Sequence, residues 1–408
     1  MLVNEDNPVS VSLSADKPTI AKKVTPHTDL KKLNLNWSEK DLPEKERTKH
    51  VHRLHPYLGK YIPQLVEVFL RKYFSPGQLV IDPFVGSGTT LVQANELGIN
   101  SIGYDVSAFN IMLSQVKTDE YDIKQVRQEV TDILEKTKAA TQTESYQLSL
   151  WDINPNIQPL CETDNQYLQE WFAPQSLKEL LTYCQLISRH GYRYQNLLKI
   201  ILSRSARSAR LTKHYDLDFP KKPQTEPYWC YKHSKNCQPT TEAFKFLNQY
   251  SIDTVKRLEE FAAVRTKATV KVFHADSRKT VFPSIDGMIT SPPYVGLIDY
   301  HQQHAYAYHL VGLEDKRHEE IGAAANGCSQ KAKRQYQQDI AQVFSRVIEA
   351  MPSGSPLIVV AGDKDNLYPE IANIIGVEVE SIIQRHVNRR TGRRSSDFYE
   401  SIFIWRKR

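Results

Sequence analysis

The sequence predicts an α/β fold: a doubly wound sheet that is interrupted by a mainly helical insertion and ends in a β-hairpin. Three observations lead to this prediction. An apolar strand, a glycine turn, a short helix and a second apolar strand follow one another in residues 79–105, which is a βαβ arrangement. Alternation of strands and helices then lapses over residues 119–265 and resumes afterwards. The last two apolar segments flank an arginine-rich turn, as the strands of a hairpin do.

The first part of the chain combines a polar arm with the start of this sheet. Residues 1–48 are polar, contain four prolines and show no sustained periodicity, which predicts a flexible or peripherally packed N-terminal arm. The segment YIPQLVEVFLRKYF then has apolar residues at helical spacing and is predicted to form a helix before the first strand. We therefore expect one α/β domain made of residues 49–118 and 266–408, split by the insertion of residues 119–265.

The second part of the domain repeats the alternation. The segments VKVFHADS, IDGMITSPPY and PLIVVAGD are predicted strands, and VEVESIIQRHV and FYESIFIW are the predicted strands of the terminal hairpin. Between them, RQYQQDIAQVFSRVIEAM is predicted to be an amphipathic helix. Its apolar face consists of Tyr336, Ile340, Val343, Phe344 and Val347.

Composition excludes two classes of protein. The 408 residues include 53 Lys+Arg and 47 Asp+Glu, a net charge of +6 that is compatible with a polyanionic partner without requiring one. Five scattered cysteines and the lack of a signal-peptide pattern predict a reducing, cytoplasmic location rather than a disulfide-stapled domain. No apolar run approaches the roughly 20 residues that a membrane helix needs, so no membrane association is expected.

The stretch DPFVGSGTT has the composition of a ligand-binding loop. It follows an apolar strand and opens a helix, and Gly86 and Gly88 allow close approach of the backbone to a ligand. Asp82 ends the first strand and Asp105 the second, an offset that suits a carboxylate bound to ribose hydroxyls. Both could instead cap helices. The loop has no lysine after its second glycine, as a Walker loop requires, and lacks the third glycine of a dinucleotide dehydrogenase.

A second motif, GMITSPPYVG, ends a predicted strand with a rigid polar and aromatic turn. Proline cannot donate to a sheet ladder, so Pro292 and Pro293 must end the strand. Together, DPFVGSGTT and TSPPY resemble the S-adenosylmethionine-dependent amino-methyltransferases of DNA, which modify N4 of cytosine or N6 of adenine and carry a cofactor loop and a catalytic tetrapeptide of these forms. The resemblance covers about residues 50–118 and 266–408. It implies a Rossmann-like methyltransferase fold and S-adenosyl-L-methionine as cofactor.

The resemblance also implies a set of cofactor-binding residues. HPYLGKYIP is similar to the segment that closes over the methionine end of the cofactor, and Asp276 to the acidic residue near its adenine, although a helix cap explains Asp276 equally well. The expected cofactor-binding residues are Tyr57, Asp82, Phe84, Gly86, Ser87, Gly88, Thr89, Asp105 and Asp276.

The chemistry of amine methylation explains the catalytic tetrapeptide. The lone pair of an exocyclic amine is delocalised into the base, and hydrogen-bond acceptors that orient the NH2 group favour the tetrahedral nitrogen of the transition state. By the resemblance, the Ser291 hydroxyl and the Pro292 carbonyl accept these bonds, Pro293 stiffens the loop, and Tyr294 stacks on an extruded base. Transfer is expected to be direct and in line, without a covalent intermediate.

The target base is predicted less directly. In the resembled family a first-position serine accompanies cytosine more often than adenine, so the expected activity is site-specific N4-cytosine methylation of double-stranded DNA. The alternatives are N6-adenine methylation, RNA amino-methylation and a catalytically silent DNA-binding subunit. Methylation at carbon 5 of cytosine needs a nucleophilic cysteine, typically after a proline, and no cysteine here follows a proline. A cognate restriction endonuclease is a further partner compatible with the resemblance.

Two basic segments are candidates for phosphate contacts. Three arginines spaced three apart in SRSARSARLTKH predict a basic stripe on a helix, and RHVNRRTGRRSS predicts a basic hairpin tip. A solvated charged face is the alternative for both. The expected DNA-binding residues are Arg204, Arg207, Arg210, Arg389, Arg390 and Arg393, and the insertion is the candidate target-recognition region.

The segment PYWCYKHSKNC raises the question of a metal. Cys230, His233 and Cys237 lie within eight residues, but the sequence shows no fourth ligand. A packed polar loop is therefore the favoured interpretation, and no metal is assigned.

Overall fold

Seven strands form one sheet at the centre of the molecule, and two short strands form a separate hairpin. The computed structural model describes residues 17–142, 163–218, 220–296, 298–387 and 398–408, and every structural statement below concerns these residues. The strands are β1 Leu79–Asp82, β2 Asn100–Asp105, β3 Tyr228–Cys230, β4 Lys235–Cys237, β5 Val270–His274, β6 Gly287–Thr290, β7 Pro356–Ala361, β8 Glu378–Val387 and β9 Phe398–Arg406.

The order of strands across the large sheet is β5-β2-β1-β6-β7-β9-β8. The five strands β5, β2, β1, β6 and β7 run parallel to one another. Strand β9 is antiparallel to both β7 and β8 and forms the terminal hairpin with β8. The strand order reverses between β1 and β6, which pair at Val80 with Gly287 and Ile81 with Met288. Ligands of open α/β sheets bind at such a reversal, outside the carboxyl ends of the strands. The segments that follow β1 and β6 are therefore brought together there.

Helices cover both faces of this sheet. They are α1 Glu44–Arg47, α2 Pro63–Tyr73, α3 Thr89–Glu96, α4 Ala108–Thr118, α5 Ile123–Gln142, α6 Gln166–Trp171, α7 Pro174–Arg189, α8 Gln195–Ala209, α9 Phe244–Ala262, α10 Tyr300–Gln303, α11 Ala305–Val311, α12 Gln330–Glu349 and α13 Tyr368–Ile375. The five apolar residues predicted for the face of α12 are all buried. The predicted α/β fold, with its helical insertion and C-terminal hairpin, is confirmed.

Alternation along the strands divides the core into two layers. Val80, Ile289 and Ile358 point to the face covered by α2, whereas Ile81 and Met288 point to the face covered by α12 and α13. Strands β6 and β7 are buried along their whole length, as expected of parallel strands covered on both sides. This burial makes the carboxyl edge of the sheet a rigid base for the loops that follow it.

For residues 17–48 of the N-terminal arm the flexible alternative is wrong, and the structure shows a packed segment. Leu33, Leu35, Trp37 and Leu42 are all buried and join the apolar layer that α2 forms against the sheet. The Trp37 indole nitrogen also donates to the Thr19 carbonyl at 2.8 Å. Leu33, Leu35 and Trp37 alternate with Asn34 and Asn36 at the two-residue period of an extended chain, so that one apolar face of this short segment is buried.

The insertion packs directly against the α/β domain. Its helices α5, α7, α8 and α9 share one apolar cluster with Phe109 and Leu113 of α4 and with Tyr306 of α11. The β3–β4 hairpin lies between α8 and α9 in the chain, in a segment expected to lack regular structure. No helix in the described part of the chain is long and apolar enough to cross a membrane.

Candidate active site

Asp82 joins the two segments that meet at the strand reversal. Its side chain is buried at the end of β1, where it accepts hydrogen bonds of 2.6 Å from the hydroxyls of Thr90 on α3 and Thr290 on β6. Tyr61 donates to it at 3.2 Å and the Phe84 backbone N–H at 3.2 Å. Burial raises the pKa of Asp82 to about 6, even though the hydrogen bonds from Thr290 and Thr90 act in the opposite direction. The carboxylate thus ties the strands together and does not line the cavity described below.

The glycine loop after β1 is held by groups beneath it. Gly86 and Gly88 have φ values of +48° and +77°, a region that other residues rarely adopt. The Ser114 hydroxyl donates to the Gly86 carbonyl at 2.9 Å, and the Lys117 ammonium donates to the Ser87 carbonyl at 2.7 Å. Lys117 is fully buried, and this burial lowers its pKa well below the usual range. Helix α4 therefore fixes the loop through two side chains that bind its carbonyl groups.

Asp105, at the end of β2, fixes the other side of the loop. One carboxylate oxygen accepts from the Gly86 N–H at 2.9 Å and from the Asn110 amide at 3.1 Å. The other accepts from the Ser107 N–H at 2.9 Å. Burial raises the pKa of Asp105 despite these three donors. The helix-cap alternative is not what the contacts show, because Ser107 is the residue whose hydroxyl caps α4.

A cavity opens between these loops, with about 770 Å³ of empty space if the solvent at its mouth is included. Seven of the nine expected cofactor-binding residues line it, and Asp82 and Gly88 do not. The predicted residues on the wall are Tyr57, Phe84, Gly86, Ser87, Thr89, Asp105 and Asp276. Ser291 and Pro293 also line it, so the two sequence motifs border the same space.

Asp276, on the wall next to β5, is already paired with basic residues. Arg278 contacts both of its oxygens, at 3.0 Å and 3.2 Å through Nε, and Lys279 lies at 3.3 Å. Burial would raise the pKa of Asp276, but the hydrogen bonds from Arg278 outweigh it and the pKa is lowered. The carboxylate is therefore held in the ionised form.

The segment around Tyr57 forms the wall of the cavity next to the glycine loop. The Tyr57 ring stacks on Tyr300 at 5.7 Å and on His304 at 5.5 Å between centroids. A Cβ atom on Gly86 would lie 3.1 Å from the Tyr57 hydroxyl, so the tyrosine covers the glycine loop closely. Burial raises the pKa of Tyr57 well above its usual value.

The Ser-Pro-Pro-Tyr turn divides its side chains between cavity and core. Ser291 and Pro293 face the cavity, whereas Pro292 does not contribute to its wall. The Tyr294 ring is 9% exposed and packs in the apolar layer beneath α12. Its hydroxyl donates to Glu400 at 3.5 Å, and Glu400 is paired with Arg385 at 2.8 Å. The expected stacking face of Tyr294 is thus largely covered, and its contact with a base stays a prediction.

Known proteins are similar to this chain over most of its length. A family model described as DNA methylase, of the N6/N4 methyltransferase type, matches residues 10–117. Type II methyltransferase M.MjaII of Methanocaldococcus jannaschii is 37% identical over 430 aligned positions, which cover 89% of this chain and 81% of the relative. The chain belongs to the S-adenosylmethionine-dependent DNA amino-methyltransferases. It is thus a Type II DNA methyltransferase that takes its methyl group from S-adenosyl-L-methionine.

Two further similarities are more distant. Type II methyltransferase M.BsoBI of Geobacillus stearothermophilus is 24% identical over 323 positions, 72% of this chain and 58% of the relative. Among solved structures, the rRNA methyltransferase AviRa of Streptomyces viridochromogenes is 11% identical and aligns over 86% of this chain and 88% of that chain, with a TM-score of 0.33. A score this low does not establish a common fold, and the strand order described above stands independently of it.

The wall of the cavity has hydrogen-bond acceptors that match donor groups of the cofactor. Two buried acceptor atoms on its wall, Asn110 Oδ1 and Glu320 Oε2, have no partner within the described residues. Buried polar atoms are rarely left unpaired, so these acceptors fit a ligand that donates hydrogen bonds. S-adenosylmethionine has such donors in its ammonium group, its ribose hydroxyls and its adenine amine. Neither residue was predicted, since Asn110 lies in the first turn of α4 and Glu320 in an aperiodic loop.

The three arginines of α8 do not form the exposed stripe that their spacing predicted. Arg204 pairs with Asp253 at 2.7 Å and lies over the Tyr250 ring, and Arg207 pairs with Asp218. Arg210 is 5% exposed and donates to the Leu217 carbonyl at 2.7 Å. The expectation of surface exposure is wrong because the insertion folds over this face of α8. A role for these arginines in DNA binding stays a prediction.

The other predicted basic patch lies largely outside the described residues. Arg389, Arg390 and Arg393 fall within residues 388–397, which the structure does not describe. Arg385, just before them, is 3% exposed and donates to the Leu35 carbonyl at 3.1 Å as well as to Glu400. The described start of the arginine-rich turn thus serves to attach residues 17–48 to the hairpin.

Proposed function

We propose that this methyltransferase modifies the N4 amine of cytosine at specific sites in double-stranded DNA. The observation that carries the proposal is the position of Ser291, at the end of β6 on the wall of the cofactor cavity and next to Pro293. A serine at this position of the motif goes more often with cytosine than with adenine in the family. A neutral hydroxyl and a carbonyl can accept both hydrogens of an exocyclic NH2 group, which cytosine carries at N4 and adenine at N6, so the choice of cytosine rests on the serine alone.

The residues of the turn would orient the amine for attack. The Ser291 hydroxyl and the Pro292 carbonyl accept its two hydrogens, which directs the nitrogen lone pair toward the cavity and away from conjugation with the ring. Two prolines restrict the backbone, and the Thr290–Asp82 hydrogen bond anchors the residue before the turn to β1. The cofactor supplies the electrophilic methyl group, and rigid placement of the acceptors keeps the amine in line with it.

The cofactor would lie across the carboxyl ends of β1 and β2. Asp105 faces the cavity from the end of β2, where it suits the ribose hydroxyls, and Asp276 lies near β5, where it suits the adenine. The glycine loop and Tyr57 would enclose the methionine end between them. Bound in this way, the cofactor would have its sulfonium methyl on the side of the cavity that Ser291 lines.

Analysis of the methylated nucleosides tests the target base. Duplex DNA is incubated with the protein and S-adenosylmethionine carrying a deuterated methyl group, digested to nucleosides and examined by mass spectrometry. We expect labelled 4-methylcytosine. Labelled 6-methyladenine would overturn the cytosine assignment and leave the family unchanged. Sequencing of methylated DNA from an expressing host would then give the flanking sequence.

A second cavity suggests where the DNA backbone approaches. It has about 980 Å³ of empty space if the solvent at its mouth is included, and it shares Tyr57, Gly59, Lys60 and Tyr61 with the first cavity. Its lining includes the cationic residues Arg47, Arg53, Lys60 and Arg204, against Glu44 as acidic residue. A basic cleft that opens beside the cofactor site suits the phosphates that flank an extruded base. The insertion, which supplies Arg204, would contribute target recognition.

Reversing the charge of Arg53 tests this path. Arg53 is exposed and lines the second cavity. We expect Arg53→Glu to weaken DNA binding and to lower the slope of log affinity against log salt by about one, the loss of one phosphate contact. The matched control is Arg334→Glu, an exposed arginine that lines neither cavity. Equal effects of the two substitutions on fluorescence-anisotropy titrations would move the DNA path elsewhere.

A further inference from the structure

Four potential metal ligands converge in the insertion, away from the cofactor cavity. They are His214, Cys230, His233 and Cys237, and their ligand atoms all lie within 4.8 Å of one another. Cys230 ends β3 and Cys237 ends β4, with His233 in the turn between them, and His214 comes from the segment that follows α8. None of the four lines the cofactor cavity. The fold thus supplies the fourth ligand that the local motif lacked.

The distances among these atoms match a tetrahedral metal site. His233 Nδ1 lies 3.4 Å from Cys237 Sγ and 3.6 Å from Cys230 Sγ, and His214 Nδ1 lies 3.9 Å from Cys230 Sγ. With Zn–S of about 2.3 Å and Zn–N of about 2.0–2.1 Å, a tetrahedral ion separates sulfur from nitrogen by about 3.6 Å. Both imidazoles present the same nitrogen to the sulfurs, which leaves their Nε2 atoms pointing away from the centre.

The hairpin has little else to stabilise it. Each strand has three residues, and the apolar cluster of the hairpin consists of Tyr228, Cys230 and Cys237. An isolated two-stranded hairpin is marginally stable in water, and very small units usually need a disulfide or a metal. The neighbouring aromatic residues do not provide a core, because Trp229 is 51% exposed and Tyr231 is 74% exposed. Packing in an apolar core therefore does not explain why the thiols of Cys230 and Cys237 are buried in this polar segment.

We propose that His214, Cys230, His233 and Cys237 bind one structural Zn²⁺ ion. Two thiolates and two imidazoles are ligands that favour zinc over magnesium or calcium. Four protein ligands close the coordination sphere, so the site has no position for a substrate or an activated water and its role is structural. The ion connects the hairpin to the segment after α8, where the His214 N–H already bonds the Tyr228 hydroxyl at 2.9 Å. It thereby holds Trp229 and Tyr231 outward on a fixed hairpin.

Metal analysis of the full-length protein tests the site. After purification without a chelator or a histidine tag, we expect one zinc per chain by mass spectrometry of the metal. Replacement by Co²⁺ should give the visible absorption of a tetrahedral thiolate complex. A wild-type protein that carries no zinc and binds neither ZnCl₂ nor CoCl₂ would overturn the proposal.

Substitutions then assign the ligands. Cys237→Ser should lose the bound zinc, whereas Cys328→Ser, which removes an exposed cysteine outside the cluster, should retain it. Loss of zinc from both variants would contradict the assigned ligands. His214→Cys distinguishes ligation from packing, because it should retain zinc and add a third thiolate to the Co²⁺ spectrum, whereas His214→Ala should bind the metal far more weakly. An unaltered spectrum for His214→Cys would remove His214 from the site.

Discussion

The loops after β1 and β6 border the same cavity, but they are fixed in different ways. The glycine loop after β1 is held from outside, since Ser114, Lys117 and Asp105 bind its carbonyl and N–H groups. The Ser-Pro-Pro-Tyr turn after β6 is restricted from within by its two prolines, and its ends are anchored through Thr290 and Tyr294. Asp82 connects the residues at the base of both loops.

This difference separates what each loop contributes to function. The glycine loop contributes backbone groups, and Gly86 and Gly88 have positive φ values that other residues rarely adopt. The function of this loop therefore depends on the absence of side chains at these two positions. The proline turn contributes one hydroxyl and one carbonyl at fixed positions. Its proposed function therefore depends on these two hydrogen-bond acceptors. Substitutions in the glycine loop should therefore reduce cofactor affinity and the free energy of unfolding, and substitutions in the proline turn should reduce the rate of methyl transfer.

Ser291→Ala should have the largest effect and should fall on the chemical step. Loss of a positioned hydrogen-bonding group in an active site costs about 10²–10³-fold in rate, and we expect a loss of this size in single-turnover methyl transfer. Binding of S-adenosylmethionine, measured by calorimetry, should stay within about twofold, since the glycine loop is unchanged. Ser188→Ala, an exposed serine on α7, is the control and should retain full activity. A parallel loss of cofactor affinity in Ser291→Ala would erase the distinction between the loops.

The sequence predicted most of the carboxyl edge of the sheet because its information is local. Each strand, its terminal residue and the loop after it are contiguous, so apolar runs followed by DPFVGSGTT and TSPPY are sufficient to indicate the cavity wall. The exceptions lie just beneath that wall. Asp82 was expected to contact the cofactor and instead bonds Thr90 and Thr290, which come from two other segments.

The helical character of the insertion was predicted, but its side-chain contacts were not, because these side chains bind partners far along the chain. Arginine spacing on α8 is periodic in the way a surface stripe is, but Asp253, 49 residues after Arg204, turns that face inward. Likewise His214 precedes Cys230 by 16 residues and joins its cluster only through the hairpin. A short sequence pattern cannot predict contacts between residues so far apart, although the acidic and histidine residues that make them can be read from the sequence.

Asp82→Asn tests the connection between the two loops through its pH dependence. The folded pKa of about 6 exceeds the ordinary value of 3.8, so the folded state holds this proton more tightly than the unfolded state. The resulting stabilisation is complete below about pH 4 and is lost as pH rises through about 6, a change of about 3 kcal/mol. Because asparagine does not titrate, urea unfolding of Asp82→Asn should lack this decline.

Subtracting the two pH profiles isolates Asp82, because every other group titrates in both proteins. The exposed residue Asp164 provides a control, and Asp164→Asn should follow the wild-type profile. Thr90 can redirect its hydroxyl to the Ile289 carbonyl, now 3.4 Å away, so the amide should be tolerated. Parallel curves for wild type and Asp82→Asn between pH 4 and 7 would contradict a buried carboxyl at this junction.

Gly88→Ala and Gly312→Ala form a matched pair that tests the glycine loop. Both glycines have positive φ, +77° and +68°, but a Cβ atom on Gly88 would lie 2.9 Å from Ser114 Oγ and 3.2 Å from its Cα, whereas Gly312 faces open space. Gly312→Ala should therefore cost only the conformational strain, about 1 kcal/mol of unfolding free energy. Gly88→Ala should cost about 2–3 kcal/mol, because relief of the contact displaces Ser114 from the Gly86 carbonyl. Calorimetry should also show weaker S-adenosylmethionine binding for Gly88→Ala alone; equal losses in the two variants would mean that φ strain, and not the support from α4, shapes the loop.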